Sequence, residues 1–242
     1  MAYIHEETIA GETLIVRNHY SNRWKKRNLR REPPTDKTER SQIESHNRRD
    51  IWELTIRLNE NFYPGDYYMT FTYRPEERPQ TIEQAKKDRT DLLRKLRRLY
   101  KKNETELKFI ASTEFGKKGA LHHHFAMNGD VDVREIYKLW DKGFIDLKPL
   151  TKDREYSKIA SYFIKGRKQW KEAGGKGRMW TCSKNLVRPE TKKWIVKANS
   201  FLKNPRNKKG FIVLKETIHE GINQDGFPYQ NYIMLRSRGD PP

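Results

Sequence analysis

No segment restricts the fold of this chain more than residues 119–129, which read GALHHHFAMNG. Taken as a β-strand, LHHHFAM sends successive side chains to opposite faces, so only alternate residues share one. Leu121, His123, Phe125 and Met127 then lie on one face, and His122, His124 and Ala126 on the other. The first face is apolar and must pack on helices, with His123 as its odd member. The second is small or ligating, as an open site on a sheet surface requires. The strand before it ends in Glu114, and a hairpin through FGKKG brings that carboxylate beside the histidine pair. Two imidazoles and one carboxylate bind a divalent cation and leave positions open for substrate oxygens. The carboxylate and solvent positions suit Mg²⁺ or Mn²⁺, and the imidazoles tilt the preference toward Mn²⁺ or a later transition metal. The competing reading is a pair of exposed strand histidines with no ligand role; Glu114 on the adjoining strand counts against it.

The rest of the pattern frames that hairpin. YYMTFTY at 67–73 has the aromatic and β-branched content of a strand. Ile82, Ala85, Leu92, Leu93, Leu96 and Leu99 recur at helical spacing, which predicts a helix over 81–102. Helices are expected over 43–62, 133–142 and 153–170, and strands over 107–114, 120–127, 144–149 and 179–182. A helix is expected around 190–202, then strands at 211–217 and 229–235. Helices of varied length separate the strands, and one pair is a hairpin. The expected fold is α+β, a mainly antiparallel central sheet of about five strands with helices packed on one side. Residues 17–50 are strongly basic and broken by Pro33-Pro34, which suggests an arm with a helix starting near Thr35. The expected division is an arm over 1–50, a main domain over 51–205, and C-terminal strands over 206–242 packed on that domain.

Charge narrows the partner. The chain of 242 residues carries a net charge of +19, with Lys and Arg spread along its length. That suits a protein that neutralises phosphates, though high solubility alone would also explain it. Only 34% of residues are apolar, yet aromatics reach 12%, which a disordered chain would lack. The single cysteine, Cys182, excludes an internal disulfide and fits a reducing compartment. The N-terminal stretch is acidic and no run reaches membrane-span length, so a cytoplasmic location is expected.

The segment EYSKIASYFIKGRKQW (155–170) adds a second feature. As one helix, Tyr156, Ile159, Ala160, Phe163 and Trp170 form its apolar face. Lys158, Tyr162, Lys165 and Gln169 then share the opposite face. A tyrosine between lysines is placed to meet a phosphate, and its high pKa calls for cations to stabilise the phenolate.

With these residues in view, the sequence resembles the HUH endonuclease superfamily. Within it, the likeness is to rolling-circle replication initiators of the group related to the filamentous-phage gene II protein. MTFTY (69–73) resembles the first strand motif, LHHHF with Glu114 the metal motif, and YFIK the tyrosine motif. The likeness spans roughly Thr35 to Lys203. It implies Glu114, His122 and His124 as ligands of Mg²⁺ or Mn²⁺, Tyr162 as the nucleophile and Lys165 as its phosphate-facing partner. Two positions depart from the pattern: His123 stands where a hydrophobic residue is usual, and Lys158 where some relatives carry a second tyrosine.

The implied activity is origin-specific nicking and joining of single-stranded DNA through a 5′-phosphotyrosine, which initiates rolling-circle replication of a plasmid, phage or mobile element. Implied partners are single-stranded or hairpin DNA at an origin, and a host helicase and polymerase. Lys158, Arg94, Arg97, Arg98 and Lys101 are expected to hold the DNA backbone, and Trp170 and Trp180 to stack on bases. A solvated basic face is the alternative for the arginines of helix 81–102. A single-tyrosine transposase or conjugative relaxase would use the same chemistry, and a non-catalytic nucleic-acid-binding protein would need none. On the apolar face, His123→Leu is expected to leave the fold at least as stable, unless His123 bonds a buried carbonyl.

Overall fold

The computed structural model describes residues 2–21, 39–116, 119–151, 155–197, 201–222 and 226–237. In chain order the elements are β1 (Ala2–Ala10), β2 (Thr13–Ser21), α1 (Glu39–Asn61), β3 (Tyr67–Phe71), α2 (Ile82–Lys102), β4 (Phe109–Phe115) and β5 (Leu121–Met127). They continue with α3 (Val133–Tyr137), β6 (Ile145–Pro149), α4 (Ser157–Tyr162), α5 (Arg167–Glu172), β7 (Trp180–Cys182), β8 (Thr191–Val196), β9 (Phe211–Val213), β10 (His219–Ile222) and β11 (Pro228–Arg236). The chain forms two compact units, Thr38–Val187 and a second made from Met1–Lys37 with Arg188–Pro242.

The first unit is built on a five-stranded sheet in the order β6-β3-β5-β4-β7. Every neighbouring pair is antiparallel, so the expected α+β class and antiparallel sheet hold. The strongest helical pattern in the sequence becomes α2. Thr81 caps its start, its side chain accepting from the Gln84 amide at 3.1 Å. Its apolar stripe, Leu92, Leu93, Leu96 and Leu99, packs with Met69, Phe71, Phe109, Ala111, Phe125 and Met127 of the sheet. Ile136 of α3 and Trp140 complete that core.

Helices also cover the other face, contrary to the expectation of one covered side. Leu54, Leu58 and Phe62 of α1, with Ala160 of α4 and the Phe163 and Ile164 that follow it, pack with Ile110, Ala126 and Trp180. The cause lies in β4, where all but the last residue are buried on both faces. Strands covered on both sides lose the apolar–polar alternation that marks a one-sided sheet. The expected helix over 133–142 stops at Tyr137, and Gly143 then passes against the backbone following β3. A Cβ at Gly143 would stand 2.0 Å from the Thr72 carbonyl oxygen.

The second unit is a six-stranded antiparallel sheet in the order β10-β11-β2-β1-β8, with β9 also on β11. It corrects the expected division in two places. Residues 2–21, placed in an arm, form the β1–β2 hairpin, turned at Gly11 with φ 55°. The C-terminal strands, placed on the main domain, join this separate sheet, β11 pairing with β2 and β9 and β10 with β11. The helix expected around 190–202 is instead strand β8 over Thr191–Val196, followed without regular structure by 201–203. The β-branched and aromatic content of TKKWIV favours the strand. Residues 22–38, including the helix start expected near Thr35, lie outside the described residues.

Candidate metal centre and its surroundings

Strand register delivers the expected cluster. Glu114 stands opposite His122 across the β4–β5 pair, and His124 stands opposite Ser112. Both imidazole Nε2 atoms lie 2.9 Å from Glu114 Oε1, and 3.1 Å from each other. Glu114 and His124 are buried and His122 is half-buried. Burial alone would raise the Glu114 pKa, but hydrogen bonds from His122 and His124 outweigh it and hold the carboxyl below its ordinary value.

The three donors fit a divalent cation on two counts. Ligands about 2.1 Å from an octahedral ion stand roughly 3 Å apart, which is the spacing of this trio. Two protonated Nε2 atoms 3.1 Å apart would repel, and a cation between their lone pairs removes the conflict. Further, among the described residues neither Glu114 Oε2 nor Ser112 Oγ has a hydrogen-bond partner, although both are buried. Orphaned buried oxygens on a site face are what an oxygen-seeking ion would satisfy.

Tyr68 and Thr70 of β3, to which sequence reasoning gave no role, orient His124. The Tyr68 hydroxyl lies 3.0 Å and Thr70 Oγ1 3.1 Å from His124 Nδ1. When Nδ1–H donates to either oxygen, the Nε2 lone pair is free to ligate. Burial, then the Glu114 carboxylate, then Tyr162 raise the Tyr68 pKa, so its hydroxyl stays protonated. The signal that could have found these two is alternation in YYMTF, which puts Tyr68 and Thr70 on one face and pairs Thr70 with His124.

His123 points the other way, as alternation requires, but into a polar chain. It is fully buried, with Nε2 2.7 Å from the Tyr73 hydroxyl and Nδ1 2.9 Å from Thr113 Oγ1. Tyr73 donates to Asp88 at 3.2 Å, and Arg89 donates to Thr113 at 2.9 Å. One donor direction satisfies the whole chain: Arg89 to Thr113, Thr113 to His123 Nδ1, His123 Nε2–H to Tyr73, Tyr73 to Asp88. Burial, and then the nearby Arg89 charge, push the His123 pKa well below its ordinary value. The ring is neutral and its partners are side chains, so neither sequence expectation for this residue holds.

The tyrosine segment departs from one continuous helix. Tyr162 ends α4, a turn follows, and Gly166 with φ 77° precedes α5. Arg167, at the start of α5, is buried in an ion pair with Asp50. Tyr162 is 46% exposed, and Lys165 Nζ lies 5.5 Å from its ring centroid. Next to it in sequence, Phe163 meets the Tyr68 ring edge-on at 6.0 Å, which ties the end of α4 to the site face of β3. Lys158 is exposed on the same short helix.

Two expectations fail on burial. Trp170 is 1% exposed and packs with Ile82 and Met179, and Trp180 is 3% exposed, so neither offers a ring face to a base. Arg94, Arg97, Arg98 and Lys101 are exposed as expected, but on α2, the helix that covers the His123 face. They are on the far side of the sheet from His122 and His124.

An antiparallel sheet with this acid–histidine trio and a half-exposed tyrosine on the covering helix fits the class already suggested by the motifs. Residues 66–167 match the model of a family described as replication-associated protein, of the ORF2 and gene II protein type. The matched span runs from the start of β3 to the start of α5 and includes Glu114, His122, His124 and Tyr162. No curated protein and no solved structure matches the chain. Among the described residues no helix is long and apolar enough to cross a membrane.

Proposed function

We propose that the protein initiates rolling-circle replication of a mobile element by nicking single-stranded DNA at an origin. The observation that carries this reading is the convergence of Glu114, His122 and His124 at 2.9–3.1 Å, with Glu114 Oε2 left without a partner among the described residues. Those three residues would hold Mg²⁺ or Mn²⁺, which supplies charge neutralisation at a phosphate oxygen. Tyr68 and Thr70 fix the ring of His124. Tyr162 Oη attacks phosphorus and forms a new P–O bond as the P–O3′ bond breaks. The phenol gives up one proton and the departing 3′ oxygen takes up one. One phosphodiester is thus exchanged for another, the strand can be rejoined without ATP, and the free 3′-hydroxyl primes a polymerase. Lys165, 5.5 Å from the Tyr162 ring centroid, and Lys158 on the same short helix as Tyr162 would attract the phosphate and stabilise the phenolate.

The test is a covalent one. Labelled single-stranded origin DNA incubated with the protein and Mn²⁺ should give a protein–DNA band that survives denaturation. Tyr162→Phe should bind the DNA with nearly unchanged affinity and give no such band. An adduct persisting in that variant would transfer the role to Tyr68. Tyr156, the other tyrosine of the segment, is 1% exposed and its hydroxyl donates to the Thr151 carbonyl.

A further inference from the structure

The six-stranded sheet lies almost wholly outside the span that matches the replication-associated family, and it carries a feature of its own. Register places Tyr3, His5 and Glu7 of β1, Tyr20, Asn18, Val16 and Leu14 of β2, and Lys192 and Trp194 of β8 on one face. At one end of this face Leu14, Val16, Tyr232 and Met234 bury themselves with Phe211. At the other end the rings belong to no core cluster of the described residues. Trp194 is 40% exposed, and Tyr3, Tyr20, Phe201 and Phe227 are half-buried.

These rings form two groups, one of His5 with Trp194 and one of Phe201, Tyr3, Tyr20 and Phe227. The His5 and Trp194 rings are 4.5 Å apart, Tyr3 meets Tyr20 at 5.8 Å and Phe201 at 5.3 Å, and Tyr20 stacks on Phe227 at 3.6 Å. The charges around these rings select the partner. Two acidic residues share the face: Glu7 is taken by Lys208 at 2.5 Å and His5 at 3.1 Å, and Glu220 of β10 accepts from the Gln230 amide at 3.4 Å. Lys192 on the face, and Lys197, Lys203 and Arg206 in the segment after β8, are exposed. Among the described residues none of these four has a carboxylate within ion-pair distance. The exposed Trp194 ring and the half-buried Tyr3 and Tyr20 rings, with Lys192 on the same face and further cations after β8, match a strand of unpaired nucleotides, bases on the rings and phosphates on the cations.

We propose that this face binds single-stranded DNA by stacking bases on Trp194 and the Tyr3–Tyr20 pair. The proposal does not rest on the nicking reading: it uses no residue of that site.

The experiment uses the full chain in EDTA, so that no strand chemistry enters, and follows labelled oligothymidine by fluorescence anisotropy. The wild type should prefer oligothymidine to an abasic deoxyribose-phosphate chain of the same length. Trp194→Ala should weaken oligothymidine binding about tenfold, on the scale of one base stack removed, with an unchanged salt slope. Lys192→Ala should lower that slope by about 0.7, the value for one phosphate on a single strand. Trp194→Phe keeps a ring and should retain most of the affinity, which guards against a folding defect in the alanine variant. Photocrosslinking with iododeoxyuridine should label peptides from 13–21 or 191–197. Equal affinity for the abasic chain, an unaffected Trp194→Ala, tighter binding of oligouridine, or crosslinks confined to 38–187 would each overturn the proposal.

Discussion

The two faces of β5 carry the same residue type to opposite ends. His122 and His124 turn their Nε2 atoms toward one carboxylate and toward each other, which leaves buried donor atoms in conflict and an oxygen without a partner. His123, between them, joins a chain in which both its ring nitrogens and the Tyr73 and Thr113 hydroxyls are partnered. A site for a ligand is a place where the protein has not satisfied its own polar groups. A structural polar core is a place where it has. The difference sets what each histidine should do when removed.

The largest effect should come from the unsatisfied face. Alanine at Glu114, His122 or His124 should reduce metal-dependent nicking at least about a hundredfold, beyond what loss of an outer partner typically costs. Mn²⁺ binding measured by calorimetry should fall with it, while the apoprotein stays folded. A variant that lost nicking but kept full Mn²⁺ affinity would break the assignment of these residues as ligands.

His123→Leu should do the reverse. The leucine leaves Tyr73 and Thr113 each without a partner in a buried site, and an unsatisfied buried group costs about 1–3 kcal/mol. A loss of about 2–4 kcal/mol in urea unfolding is expected, with Mn²⁺ affinity of the folded fraction unchanged. A stable variant that no longer binds metal would show the two faces to be exchanged.

A smaller effect sharpens the comparison from the ligand side. Tyr68→Phe leaves Thr70 to orient His124, so the double variant Tyr68→Phe/Thr70→Val is the informative one. It should weaken Mn²⁺ binding about 10- to 100-fold, the usual scale for outer partners. Little loss of stability is expected, because His124 still reaches Glu114. Unchanged affinity would mean that packing alone holds the ring.

The site was more legible in the sequence than the architecture around it. Period-two alternation is a local property, so LHHHFAM sorted its histidines correctly, and FGKKG announced the hairpin that brings Glu114 to them. What failed depends on partners far along the chain. Gly166 in the left-handed region breaks the tyrosine helix, and the buried pair of Arg167 with Asp50, 117 residues away, has no local signal. The chain His123–Tyr73–Asp88 draws on three elements, so an apolar-looking face hid a polar core. Charge misled once. The basic run drew residues 17–21 of β2 into an arm, and the stretch expected as a helix around 190–202 pairs with β1 as β8. Two-sided burial of β4 concealed the second layer of helices.

The smallest effect tests whether the satisfied face takes any part in DNA handling. Arg94, Arg97, Arg98 and Lys101 project from α2, on the side of the sheet away from the metal ligands. Arg94 is paired with Asp91, and the Arg97 guanidinium lies 5.5 Å from the centroid of the Phe109 ring, so part of this charge is already engaged. A strand short enough to fill only the site face cannot also reach around the sheet. Alanine at Arg98 and Lys101, which avoids the packed Arg97, should therefore leave nicking of a short oligonucleotide within about twofold, less than the tenfold that corresponds to 1.4 kcal/mol. On a longer duplex-flanked origin the salt slope should fall by about 0.9 for each phosphate no longer neutralised. If the short substrate suffered as much as the long one, the strand would have to pass along α2. The separation of a ligand-binding face from a structural face would then hold for the histidines but not for the DNA.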